Sequence, residues 1–161
     1  MTTTTKRRLA VYLRDETRGL AGRCQAAFRE AVRELAAGPT VDTVDVYEWP
    51  RKVAVDGQGP TDERAQRAFN AFSQWAREND VRLHPAFATR ACYDWTTGAR
   101  YTALVLPVMA IAVYEAGELQ AVYPHTDDGT YYTVFDGLDD LETDEPVPGP
   151  ADDDLPAVPV E

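Results

Sequence analysis

Basic residues are missing from the C-terminal part of this 161-residue chain. Residues 101–161 contain no Lys or Arg but 14 Asp and Glu, whereas residues 1–100 contain all 16 basic residues. The net charge of −11 therefore conceals a basic N-terminal segment and a strongly acidic C-terminal one. This asymmetry is typical of proteins with a nucleic-acid-binding face or with an acidic tail that competes for that face. The alternative is a mixed surface that ends in a solvated acidic segment.

Cysteine and histidine are scarce. Cys24 and Cys92 form no C-x-x-C pair, which excludes a disulfide scaffold and a zinc module. His84 and His125 are the only histidines, and the chain has no Gly-rich dinucleotide motif, Walker loop, H-E-x-x-H motif or EF-hand spacing. We therefore predict no catalytic residues, no metal site and no cofactor.

Long hydrophobic runs are also missing. The longest, residues 103–114, is shorter than the roughly 20 residues that span a bilayer, and no charged-then-apolar leader opens the chain. We expect a cytoplasmic protein without membrane contact. Arg outnumbers Lys 14 to 2 and Asp outnumbers Glu 16 to 11, a composition similar to that of proteins from salt-accumulating archaea. High genomic G+C content would also favour Arg.

Hydrophobic periodicity predicts alternating strands and helices in the first part of the chain. Residues 8–14 alternate strictly and predict a half-buried strand. Apolar residues at helical spacing predict amphipathic helices over 19–37 and 61–79. Residues 41–49 are rich in β-branched and aromatic side chains, as in a strand, and the break at Pro50 suggests a hairpin with a short return strand.

The rest of the ordered chain is predicted to be rich in β-structure. Residues 81–93 form a strand pattern interrupted at Pro85, which indicates an edge position or a bulge. An antiparallel β meander is expected over about 100–136, followed by a short helix from Asp136. From residue 142 onwards the chain is rich in proline and acids and poor in large apolar groups, so it is predicted to be disordered.

Together these patterns predict an α+β fold. The order strand, helix, strand, strand, helix, strand over about 8–93 matches the ferredoxin-like βαββαβ two-layer unit, with both helices on one face of the sheet. The meander would extend that unit. The predicted organisation is a flexible basic N-terminus (1–7), a single α+β domain (8–141) and a disordered acidic, Pro-rich tail (142–161).

Three segments carry a resemblance to a known family: residues 101–108 (Tyr-Thr-Ala-Leu-Val-Leu-Pro-Val), 112–119 (Ala-Val-Tyr-Glu-Ala-Gly-Glu-Leu) and 132–138 (Tyr-Thr-Val-Phe-Asp-Gly-Leu). They resemble small haloarchaeal proteins of unknown function that are commonly labelled helix-turn-helix-domain proteins. The resemblance extends over about 6–141 and implies a cytosolic protein with a role in DNA-linked regulation. However, a helix-turn-helix joins two helices by a turn of three or four residues, and here a predicted hairpin separates the helices.

Two functional hypotheses follow. The first is a non-catalytic regulatory or interaction module, associated with transcription, that binds DNA or another protein; its predicted phosphate contacts are Lys6, Arg7, Arg8, Arg14 and Arg18. The second is a small-molecule-binding or enzymatic domain with a pocket near Tyr93, His125 and Asp127, with Cys92 close by. A homodimer formed through an open sheet edge is compatible with both hypotheses.

Overall fold

The computed structural model describes residues 6–57 and 61–143. The elements follow the chain in this order: β1 (Arg7–Arg14), α1 (Gly19–Ala37), β2 (Thr43–Trp49), β3 (Lys52–Gly57), α2 (Glu63–Glu78), β4 (Ala88–Tyr93), β5 (Arg100–Val105), β6 (Met109–Glu115), β7 (Glu118–Tyr123), β8 (His125–Asp127), β9 (Thr130–Tyr132) and α3 (Val134–Thr143). The predicted tail from residue 142 lies outside the described residues apart from its first two positions, which complete α3.

A four-stranded mixed sheet in the order β2-β1-β6-β7 forms the centre of the fold. β1 pairs with β2 in parallel from Arg8↔Thr43 to Arg14↔Trp49, and it pairs with β6 in the antiparallel direction. Parallel neighbours need a crossover connection, which α1 provides. β6 and β7 form a hairpin at the far side of the sheet.

One face of this sheet packs against α1 and α3. Leu9, Val11 and Leu13 alternate along β1 and are buried with Phe28 of α1 and Leu138 of α3 in one hydrophobic cluster. The strict alternation that predicts the strand therefore also selects the residues that meet these two helices.

The opposite face packs against α2. Ala10 and Tyr12 point to this side and are buried with Phe72 and Trp75 of α2 and with Trp49 of β2. Asp62 caps the helix, because its carboxylate accepts a hydrogen bond from the backbone N–H of Ala65 at 3.0 Å. The fold thus has three layers, with helices on both faces of the main sheet.

A second, three-stranded antiparallel sheet in the order β3-β5-β4 adjoins the end of the main sheet. Trp49 joins the two sheets because its indole N–H donates to the Pro107 carbonyl at 3.1 Å. The backbone N–H of Leu106 also donates to the Arg51 carbonyl at 2.9 Å. Val53 and Leu104 of the second sheet extend the core on the α2 side.

The α+β class is confirmed, but the strand and helix arrangement differs from the ferredoxin-like one. In the predicted unit, both helices would cover one face of an antiparallel sheet. In the structure, β1 and β2 are parallel neighbours, and α1 and α2 cover opposite faces. The periodicity of the sequence predicts the type of each element, but it does not specify which strands pair with each other.

Two further predictions are wrong for the same reason. β2 and β3 do not form a hairpin, because β2 pairs with β1 while β3 pairs with β5. The chain changes sheets at Pro50 and Arg51. The predicted meander is also divided, since β5 belongs to the second sheet and β6 and β7 to the main one. Within 81–93, the regular strand is limited to β4, which is an edge strand as Pro85 suggested.

In the part of the chain that the structure describes, each helix is too short or too polar to span a lipid bilayer.

Candidate functional site

A cleft of about 590 Å³ lies where β1 and β2 end and α1 begins. We call it the sheet-end cleft. Its lining residues are Arg14, Asp15, Glu16, Thr17, Arg18, Ala21, Pro50, Arg51 and Lys52. The carboxyl ends of the parallel strands β1 and β2 meet at this edge of the sheet. In open sheets, ligands commonly bind beyond the carboxyl ends of parallel strands.

Arg14 is the last residue of β1 and the most enclosed cation of the cleft. Its Nη2 donates to the carbonyl of Leu106, and its Nε is buried without a hydrogen-bond partner among the described residues. Burial lowers the pKa of Arg14, and the neighbouring charge of Arg51 lowers it further. Two like charges are therefore held close together, an arrangement that an anion would stabilise.

Gln25 of α1 holds this end of the sheet together. Its Nε2 donates to the carbonyls of Arg14 and Val108, both at 2.9 Å, and its Oε1 accepts from the Thr17 hydroxyl at 2.6 Å. The side chain is buried. A fully bonded buried amide fixes its partners in place, so Gln25 positions both the end of β1 and the loop that leads to Arg18.

The start of α1 adds further positive potential. The helix begins at Gly19 without an acidic residue in its first turn, and the Arg18 side chain makes no capping hydrogen bond. The free N–H groups and the helix dipole favour anions at such an end. Asp15 and Glu16 are exposed at the rim. Within residues 6–57 and 61–143, Arg14, Arg18 and Arg51 form no ion pair with a carboxylate.

Lys52 connects the cleft with the second sheet. Its Nζ lies 3.5 Å from Cys92 Sγ and 5.7 Å from the centre of the Tyr101 ring. The pKa of Lys52 is raised, mainly by a side-chain hydrogen bond with Tyr101, so the amine stays charged at neutral pH. The positive surface thus continues from the start of α1 onto β3.

The structure separates the five predicted phosphate contacts into two groups. Arg14 and Arg18 lie at the sheet-end cleft, whereas Lys6, Arg7 and Arg8 lie at the other end of β1, about 20 Å away at the usual rise per residue. Arg7 forms an ion pair with Glu115, with 2.8 Å between Nη2 and Oε2. Arg8 forms an ion pair with Asp45, with 3.3 Å between Nη1 and Oδ2, and its guanidinium carbon lies 4.3 Å from the centre of the Tyr114 ring.

The three residues of the predicted small-molecule pocket do not form one site. His125 is only 8% exposed, and its Nδ1 lies 2.6 Å from the Val122 carbonyl in a cage of aromatic rings. Tyr93 is exposed at the end of β4, in a different sheet from His125. Asp127 is exposed on β8. In the described part of the chain, no group of three or more His, Cys, Asp or Glu could hold a metal ion.

The aromatic residues singled out by sequence divide between core and surface. Tyr47 and Trp49 face α2, where both stack on Tyr12. Tyr93 and Trp95 lie at the tip of the β4–β5 hairpin, and Trp95 is 91% exposed. Sequence reasoning missed Arg51, Lys52 and Gln25 as members of the sheet-end cleft. The sequence places Arg51 and Lys52 in an expected hairpin turn, and Gln25 belongs to no recognisable motif.

The chain matches a known protein family. A family model described as a helix-turn-helix domain matches residues 1–146. Neither the curated proteins nor the solved structures contain a match to the chain. In the described residues, α1 and α2 are separated by β2 and β3 rather than by a short turn. By its match over most of its length, the chain belongs to this helix-turn-helix domain family.

Proposed function

We propose that the protein is a non-catalytic regulatory module that binds nucleic acid through the sheet-end cleft. The observation that carries the proposal is the group of guanidinium groups at Arg14, Arg18 and Arg51, which have no carboxylate partner among the described residues. Such groups bind phosphate oxygens well, because the planar fork matches two oxygens at once. Family membership supports a role in transcription.

The binding would be mainly electrostatic. Lys52 and the start of α1 extend the positive surface, and the exposed rings of Tyr93 and Trp95 on the second sheet are available for stacking on bases. Contacts to phosphates position a protein on nucleic acid and make its affinity strongly dependent on salt. Lys6, at the opposite end of β1, would contribute only through the long-range field.

The test is the binding of a fluorescently labelled DNA duplex of mixed sequence, measured by anisotropy at several salt concentrations. The double substitution Arg18→Ala and Arg51→Ala should lower the affinity at least about tenfold at low salt and reduce the slope of log affinity against log salt by about 2. The matched control is Arg29→Ala with Arg33→Ala, which removes the same charge from the side of α1 that borders β2, outside the cleft, where the two residues lie near Glu48 and Glu30. Equal losses in the two variants would contradict a specific role of the cleft.

The acidic C-terminal segment requires a second arm of this test. Residues 144–161 carry six acids, so they would compete with DNA for the cleft. Deletion of residues 144–161 should raise the affinity for DNA. If the shortened protein binds no duplex even at low salt, nucleic-acid binding is excluded.

The remaining features of this proposal concern the cellular setting. The aspartate-rich, lysine-poor composition supports a haloarchaeal cytosol, where the phosphate contacts would operate under strong screening. β2 and β7 are the edge strands of the main sheet, and a homodimer would form by pairing at one of these edges. Sedimentation at several protein concentrations tests the dimer, and a single monomeric species throughout would exclude it.

A further inference from the structure

A second cleft, unrelated to the sheet-end cleft, lies between α2 and the main sheet. We call it the tyrosine cleft. It encloses about 240 Å³ and is lined by Tyr12, Tyr47, Arg64, Arg67, Ala68, Ala71 and Tyr114. Its walls thus combine three phenols with two guanidinium groups, and no carboxylate lines it.

Tyr12 is the unusual member of this lining. Its side chain is only 7% exposed, yet its hydroxyl has no hydrogen-bond partner among the described residues. Among the described residues, Arg14 Nε is the only side-chain N or O atom that is both fully buried and without a hydrogen-bond partner. The unpartnered Tyr12 oxygen is therefore not fully buried, and its remaining solvent-accessible surface faces the cleft. A phenol buried to this degree normally finds a partner. The O–H group is thus available to a ligand.

Two phenols of this cleft, those of Tyr12 and Tyr114, stay protonated over the physiological pH range. Burial raises the pKa of Tyr12 to about 12, and burial also raises the pKa of Tyr114. Both hydroxyls can therefore donate a hydrogen bond to an anionic group at neutral pH.

The cationic side of the cleft is also preorganised. Arg64 and Arg67 lie one turn apart on α2, and the Arg64 guanidinium lies 5.0 Å from the centre of the Tyr47 ring. A stacked guanidinium keeps its N–H edge free to donate. Neither arginine forms an ion pair in residues 6–57 and 61–143. Asp45 of β2 forms its ion pair with Arg8 instead, at 3.3 Å between Oδ2 and Nη1.

We propose that the tyrosine cleft binds the phosphoryl group of a small phosphorylated metabolite no larger than a mononucleotide. Arg64 and Arg67 would bind the phosphate oxygens from the α2 side, and the Tyr12 hydroxyl would donate from the floor of the cleft. Donors that converge from several directions suit a tetrahedral anion better than a planar carboxylate. The volume of the cleft is below the usual range for drug-sized ligands, which fits a small ligand. The site is independent of nucleic-acid binding at the sheet-end cleft.

Titration calorimetry of the full chain tests this proposal, with inorganic pyrophosphate and AMP as probes and adenosine as the uncharged control, all at constant ionic strength. AMP and pyrophosphate should bind, and adenosine should not. Tyr12→Phe should weaken binding about ten- to hundredfold, the effect of one lost hydrogen bond to a charged group. Arg64→Gln with Arg67→Gln should weaken it further.

Matched controls locate the site. Tyr131→Phe removes a phenol from an exposed position, and Arg77→Gln removes a charge from the last turn of α2, outside the cleft. Both should leave affinity unchanged. Because the Tyr12 hydroxyl has no protein partner, Tyr12→Phe should keep the wild-type melting temperature, so lost binding would not reflect unfolding. The proposal is overturned if no phosphate probe binds below about 10 mM. It is also overturned if binding survives the cleft substitutions but is lost in the Arg18→Ala, Arg51→Ala variant.

Discussion

Arg7 and Glu115 connect the first residue of β1 with the last residue of β6. The Nε and Nη2 atoms of Arg7 lie 3.0 Å and 2.8 Å from the same carboxylate oxygen of Glu115. The two residues are also registered partners in the sheet, and the Arg7 side chain is only 12% exposed. An arginine predicted to contact DNA thus serves to join two strands.

We predict that Glu115→Gln destabilises the protein by about 1–2 kcal/mol, because it removes the negative charge that accepts two short hydrogen bonds from the largely buried Arg7 guanidinium. Chemical denaturation measures this change in the free energy of unfolding. Glu118→Gln, on an exposed position of the same hairpin, is the control and should change the stability by less than about 0.5 kcal/mol. DNA affinity should not fall in either variant, and a large loss of affinity in Glu115→Gln would argue that this end of β1 takes part in binding.

Gln25 should affect both stability and DNA binding. Gln25→Leu leaves the carbonyls of Arg14 and Val108 without their side-chain donor and is expected to cost about 2–3 kcal/mol. Thr17→Val removes only the bond to Gln25 Oε1 and should cost about 1 kcal/mol. DNA affinity should decrease in the same order, because the segment leading to Arg18 loses its anchor. Unchanged affinity in a folded Gln25→Leu variant would show that the cleft does not depend on this residue.

The sequence predicts individual elements better than their assembly. The alternation in 8–14 and the apolar stripes of α1 and α2 depend on local periodicity, and these elements occur at or within two residues of the predicted bounds. The pairing of β1 with β2 depends on contacts between residues about 35 positions apart, which a local pattern does not specify. Pro50 predicts a hairpin turn, because turn chemistry does not reveal whether the next strand stays in the same sheet.

The same limit applies to the candidate sites. Arg14 and Arg18 could be predicted from a local excess of positive charge, whereas Arg51 joins them only through the change of sheet after β2. The tyrosine cleft collects residues from β1, β2, β6 and α2, so no segment of the sequence signals it. His125 was a reasonable candidate by residue type, but the aromatic cage around it encloses the ring.

Gly137 of α3 should tolerate no side chain. A Cβ atom at this position would lie 2.5 Å from Cδ1 and 2.7 Å from Cγ of Tyr123, and 2.9 Å from Cδ1 of Ile111. Gly137→Ala should therefore destabilise the protein by about 1–3 kcal/mol, despite the higher helix propensity of alanine.

Gly22 provides the matched control for this substitution. It also lies in a helix, but its nearest contact to an added Cβ would be the Thr17 carbonyl oxygen at 3.4 Å. Gly22→Ala should be neutral or stabilising by up to about 1 kcal/mol. The melting temperatures of the two variants test this prediction, and that of Gly137→Ala should be the lower one. Equal melting temperatures would show that α3 does not pack closely on Tyr123.

Alkaline pH should destabilise the protein partly through Tyr12. Its pKa is raised from 10.0 to about 12 in the folded state, so the unfolded chain releases the proton first as the pH rises. The stability contribution of the neutral phenol is thus complete below pH 10 and is lost progressively between pH 10 and about 12. Tyr12→Phe should flatten the fall in unfolding free energy over this interval. A fall as steep as in the wild type would mean that other groups cause it; Tyr123, whose pKa is raised by burial and by its hydrogen bond to Asp140, is the first of these.

The central position of β1 affects how the molecule opens. β1 is hydrogen-bonded to a strand on each side and contributes side chains to both hydrophobic clusters, so its amides cannot reach solvent unless both helix layers detach. Its backbone deuterons should be the slowest to be replaced in native-state exchange, at a rate set by complete unfolding. The amides of β4, at the edge of the smaller sheet, should be replaced much earlier. β4 can thus loosen while the three-layer body remains intact.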